Sequence, residues 1–64
     1  MITYTEGKNG RVTLEMSQRD YAALLLILGM ALGPAEGETA RSMIIFINDL
    51  NRTNPNYRPY KVPE

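Results

Sequence analysis

Apolar and polar positions alternate along the first sixteen residues in two separate runs. Ile2-Thr3-Tyr4-Thr5 and Arg11-Val12-Thr13-Leu14-Glu15 both show the two-residue period of a strand with one apolar face. The intervening Lys8-Asn9-Gly10 is a turn, so residues 2–16 read as a β-hairpin. A two-residue Asn9-Gly10 loop pairs Tyr4 with Glu15 and scatters the apolar side chains over both faces. A three-residue loop, with Gly10 at positive φ, pairs Tyr4 with Leu14 and Ile2 with Met16. That register gathers Ile2, Tyr4, Val12, Leu14 and Met16 on one face and leaves Thr3, Thr5, Thr13 and Glu15 on the other. A slip of one residue would reverse every side chain, so the three-residue loop is the expectation.

The period changes after Ser17. Ser17 is a good helix N-cap, and Asp20 three residues on supports the free amides and the helix dipole. The helix is expected over 18–32, stopped by Gly33-Pro34. Between Tyr21 and Leu32 no polar side chain interrupts three turns of helix. An ordinary surface helix carries one apolar stripe, whereas this one is apolar all round. Residues 33–37 form a connector short enough to make the next element an antiparallel neighbour. A second helix is expected over 38–51, with Met43, Phe46, Ile47 and Leu50 on one face and Arg41, Asn48, Asp49 and Arg52 free to point outwards. Residues 43–47 are an apolar run rich in β-branched side chains, which competes as a strand. The helix-compatible flanks on both sides favour the helix. Three prolines at four-residue spacing then forbid a regular helix in 52–64 and favour an extended tail. Tyr57, Tyr60 and Val62 are placed to pack along the domain or onto another subunit. The fold class is therefore α+β: a single domain over 1–64, ordered ββαα, with an extended proline-rich tail.

Size turns this plan into a statement about assembly. A domain near 64 residues buries only about 60% of the surface its unfolded chain exposes. Small domains compensate with disulfides, metals or oligomerisation. The chain has neither cysteine nor histidine, so disulfides, thiolate sites and the commonest metal ligand are all missing. No cofactor or metal is expected, and oligomerisation is the device left. One hairpin and one further helix cannot surround the first helix. A homo-oligomer interface is expected among Leu24, Leu25, Leu28, Met30, Ala31 and Leu32. Each Å² of apolar surface covered there contributes roughly 25 cal/mol. Gly29 and Gly33 allow close helix approach, or Gly29 makes room for the hairpin.

Charge and motif content narrow the function classes. Seven basic and seven acidic residues give no net charge, which argues against a duplex nucleic-acid binder. The start of the chain lacks the basic and apolar regions of a secretory signal. The apolar stretch over 22–35 is shorter than the roughly 20 residues that span a bilayer. A cytoplasmic protein without membrane insertion is the expectation. Catalysis has little to stand on: the carboxylates are scattered, and Ser17 and Ser42 have no histidine to activate them. Glu36 and Glu38 read as solvated loop charges. Asn51-Arg52-Thr53 matches a glycosylation acceptor pattern by chance. In general appearance the chain is similar to accessory proteins of bacteriophages and mobile elements, a likeness of size and composition without a motif.

The candidate binding site is the C-terminal third. Arg52, Arg58 and Lys61 alternate there with Tyr57, Tyr60 and the amides of Asn51, Asn54 and Asn56, with no acidic residue between 51 and 61. Guanidinium groups grip phosphates and carboxylates, and tyrosines stack on bases or fill protein pockets. The expected function is non-enzymatic: a homo-oligomer that sequesters a small anionic, nucleotide-like ligand or inhibits one protein partner. The rival expectations are a structural subunit of a hetero-complex and a peripheral membrane-associated protein.

Overall fold

The computed structural model describes residues 1–63 and shows a two-stranded antiparallel hairpin followed by two helices. The ββαα order is the one that the apolar pattern predicts. β1 (Thr3–Glu6) pairs with β2 (Val12–Glu15) in the register Tyr4↔Leu14 and Glu6↔Val12. The amide of Gly7 donates to the carbonyl of Arg11 at 2.7 Å and closes the Lys8-Asn9-Gly10 loop. Gly10 stands at φ 74°, the left-handed region that the three-residue loop requires, and Asn9 joins it at φ 62°. Asparagine tolerates that region better than other side chains do, which is why two such residues follow one another here. The ladder ends at Thr3↔Glu15, one step short of Ile2 and Met16.

α1 (Gln18–Leu32) begins on Ser17, whose Oγ accepts the amide of Asp20 at 3.1 Å. The amide of Gly33 donates to Gly29, and Pro34 stops the helix. α2 (Gly37–Leu50) includes the whole of 43–47, so the strand reading of that run is set aside. The two helices pack side by side. Tyr21, Leu24, Leu25, Leu28 and Leu32 form the inner face of α1, all of them only half-buried. The inner face of α2 runs through Ala40, Ile44, Ile47 and Asn51.

The core is very small. Among the described residues, Ile47 is the one buried apolar side chain, at 3% exposure. No residue of α1 is buried, and all eight strand residues are exposed. The hairpin meets α1 at its edge, through the Met1–Asp20 ion pair, and leaves Ile2, Tyr4, Val12 and Leu14 each more than half in water. On α1 the opposite face carries Leu26, Ile27 and Met30 at 66, 62 and 71% exposure. Nothing approaches within 4 Å of where a Cβ on Gly29 would stand, so this glycine does not make room for the hairpin.

Two global measures agree with this local picture. The chain exposes 5752 Å², against roughly 4,100 Å² for a compact monomer of its 7.2 kDa mass. Its radius of gyration is 13.2 Å, against about 10.7 Å for a compact domain of this length. A compact body of twice the length would measure about 13.9 Å.

Candidate functional site

Beyond α2 the chain makes a series of tight turns. The amide of Arg52 donates to Asp49, that of Asn54 to Asn51, and that of Tyr57 to Asn54. The side chain of Asn54 accepts the amide of Asn56 at 3.0 Å, holding the bend around Pro55. These local bonds carry the chain back along α2 rather than away from it.

Asn48 fixes the returning segment. Its Oδ1 accepts the Tyr57 hydroxyl at 3.1 Å and the Tyr60 amide at 2.9 Å, and its Nδ2 donates to the Tyr60 carbonyl at 2.9 Å. One amide side chain thus pairs both backbone groups of Tyr60, as a neighbouring strand would. Asn48 was expected to face outwards, and the structure corrects this. Position 48 follows Ile47 on the inner side of α2, and turning it inwards lets its amide meet the backbone that the proline-rich segment leaves without partners. The only sequence signal for it is an asparagine beside the apolar stripe of a helix followed by a tail unable to bond to itself.

The expected site residues fall into separate environments. Asn51 is 2% exposed; its Nδ2 donates to the Ile47 carbonyl at 2.8 Å, while its Oδ1 has no hydrogen-bond partner. It is buried against α2 and points no polar group to solvent. Arg52 is exposed and lies 3.9 Å from the Asp49 carboxylate, an acidic neighbour just outside the basic stretch. Asn54 and Tyr57 are half-buried, and Arg58, Tyr60 and Lys61 are exposed. Neither Arg58 nor Lys61 enters an ion pair among the described residues. Tyr57 has its pKa raised above the ordinary value, first by burial and then by the neighbouring hydroxyls of Tyr60 and Tyr21. The segment therefore has an inner side, Asn51, Asn54 and Tyr57, and an outer side, Arg58, Tyr60 and Lys61.

The expected interface residues divide as well. Met30 and Ala31 are exposed, whereas Leu24, Leu25, Leu28 and Leu32 turn half-buried towards α2. The exposed strip also contains Leu26 and Ile27, which the sequence reading omitted. An all-apolar helix offers no polar residue from which to tell inside from outside.

Two concave regions adjoin these surfaces. A cleft of about 420 Å³ opens between the base of the hairpin at Leu14 and Met16, the start of α1 at Tyr21, and the turn at Thr53 and Asn54. A smaller apolar groove of about 210 Å³ lies between Leu28 of α1 and Met43, Phe46 and Ile47 of α2. Among the described residues, no cluster of acidic side chains could hold a metal ion, and no helix is long and apolar enough to cross a membrane. Comparison with known proteins gives no match to a family model, a curated protein or a solved structure.

Proposed function

We propose that this chain is a non-enzymatic binding protein that works as a homo-oligomer and holds a small anionic ligand at its C-terminal segment. The observation that carries the reading is the unburied surface. The chain exposes about 1,600 Å² more than a compact monomer of its mass, taking 5752 Å² against roughly 4,100 Å². A standard interface removes about 800 Å² from each partner, and obligate ones remove more. The excess is therefore enough for an obligate interface, and the exposed apolar faces of the hairpin and α1 supply its chemistry.

The ligand assignment rests on the Asn48 clasp. Ordering a free tail on binding would cost affinity. Here Tyr57 and Tyr60 are already held, so the exposed Arg58 and Lys61, two residues before and one residue after the exposed Tyr60, project from a fixed backbone. Two cations close in sequence to an exposed tyrosine suit a compact anion with a planar group, such as a nucleotide.

Native mass spectrometry of protein purified from cells tests both parts. The expected result is an oligomer that carries a small ligand, with Arg58→Ala and Lys61→Ala losing the ligand at unchanged oligomer size. A ligand-free monomer would overturn the reading, and retention of ligand by the Arg58→Ala, Lys61→Ala double variant would overturn the site.

A further inference from the structure

We infer that the hairpin of one copy covers the outer strip of α1 in a second copy, the two chains exchanging hairpins reciprocally. The inference rests on the homo-oligomer reading above and adds which surfaces meet. The hairpin has one apolar face, Ile2, Tyr4, Val12 and Leu14, each more than half exposed. Its own chain meets it at the edges, where the Met1 amino group pairs with Asp20 at 3.3 Å and Leu14 borders the cleft with Tyr21 and Leu50. A lone two-stranded hairpin is marginal in water and needs a further surface against its apolar face. The outer strip of α1, built on Ala23, Leu26, Ile27 and Met30, is likewise unpartnered in its own chain. Each copy thus has one uncovered apolar sheet face and one uncovered apolar helix strip. A reciprocal arrangement about a two-fold axis covers both at once and leaves no open end.

Dimensions and charge support the match. The hairpin face from Glu6 to Ile2 is four residues, about 13 Å at strand rise, and the strip from Arg19 to Met30 is eleven residues, about 16 Å at helical rise. Each face has a charged end, and Glu6 is the one acidic side chain on the hairpin's, sharing a hollow there with Arg11. Glu6 is two residues from Tyr4, whose hydroxyl donates to the Glu6 carboxylate at 2.8 Å. On α1 the charged end is Arg19, at the N-terminal end of the strip, which enters no ion pair among the described residues. Opposite signs at one end of two matched faces set the orientation. The hairpin tip lies over the start of the second copy's α1, and Leu14 comes beside Ala23.

The native chain has no cysteine, so introduced thiols report contacts without background. Leu14→Cys and Ala23→Cys chains are mixed under mild oxidation, with native mass spectrometry of the unmodified protein run in parallel. The expected result is a mixed disulfide well in excess of either homodisulfide. Self-linking of Ala23→Cys alone would mean that α1 packs on α1, which overturns the inference but leaves the oligomer intact. An oligomer with no link between the two sites overturns it in the same way. A monomer by native mass spectrometry removes the reading beneath it and the inference together. An independent measurement guards against a cysteine variant that fails to assemble. Glu6→Arg and Arg19→Glu each weaken dimerisation about tenfold by placing like charges together, and the double reversal restores it. A double variant as weak as either single one would overturn the orientation.

Discussion

Asn48 lies nine residues from Tyr57 and twelve from Tyr60, yet its single side chain bonds to both. Asn48→Ala removes all three bonds and leaves the Tyr60 backbone to water. At roughly 0.5–1.5 kcal/mol for each of the three bonds, two of them open to water, the expected loss lies at the low end of the sum, about 1.5–2 kcal/mol. A urea titration reads that loss as a lower midpoint, and trypsin reads the freed segment as faster cleavage after Lys61. An unchanged midpoint and cleavage rate would show that the clasp contributes nothing. The same site has a pH signature. Tyr57 holds its proton more tightly folded than unfolded, because burial raises its pKa above 10.0. The stability this gives is fully present below the ordinary tyrosine value and is lost as pH rises through the raised one. Stability should fall above about pH 10, and Tyr57→Phe should flatten the fall. Tyr4, raised by its bond to Glu6 and by desolvation, leaves a residual slope of the same sign. The cations and tyrosines of the segment were legible in the sequence as a composition. Their division into an inner and an outer side was not, because it depends on one asparagine whose partners lie beyond the reach of any helical or strand period.

At the scale of elements, the hairpin shows what pattern alone decides. Its register was legible because two constraints coincide: a two-residue apolar period, and a loop whose length must keep that period in phase. Gly10 at φ 74° is where the constraint becomes chemical. Gly10→Ala should weaken the hairpin by about 1–2 kcal/mol, the cost of a Cβ in left-handed backbone. Faster amide exchange in β1 and β2, with α2 unaffected, is the expected reading; equal exchange throughout would mean that the turn does not limit hairpin stability. α2 was legible as a helix for a different reason, since polar helix formers flank an apolar run that could also be a strand, but its inner face was not: Ile44 lies on it, while Phe46 and Leu50, expected there, stay exposed. What the period leaves undetermined is the neighbour of each apolar face. It marks Tyr4, Val12 and Leu14 as one surface without saying that this surface stays more than half in water in the single chain. For α1 even the face is hidden, because Leu24 and Leu26 differ in the structure and not in chemistry.

For the whole molecule, the deciding comparison is between what the chain buries and what a stable fold of its length must bury. Among the described residues one apolar side chain, Ile47, is buried and the rest of the core is half-buried at best, a small return against about 1–2 kcal/mol of backbone entropy for each ordered residue. On the homo-oligomer proposal the remaining apolar burial comes from another copy, so folding and association should be one event whose midpoint rises with protein concentration. Leu26 is the sharpest probe, being a large side chain, two-thirds exposed in the single chain, at the middle of the strip. If that strip stayed in water, Leu26→Asp would be neutral or would improve solubility. If a second copy covers it, the carboxylate must be buried without a partner, which costs several kcal/mol and should raise the dissociation constant about a hundredfold or more. Thr39→Glu, on the exposed first turn of α2, adds the same charge away from both apolar faces and should leave assembly unchanged. Light scattering across a dilution series separates the cases. A Leu26→Asp chain that assembles like the native one would show that the outer face of α1 is not where the copies meet, and the missing burial would have to be sought at the hairpin face and the Phe46 groove instead.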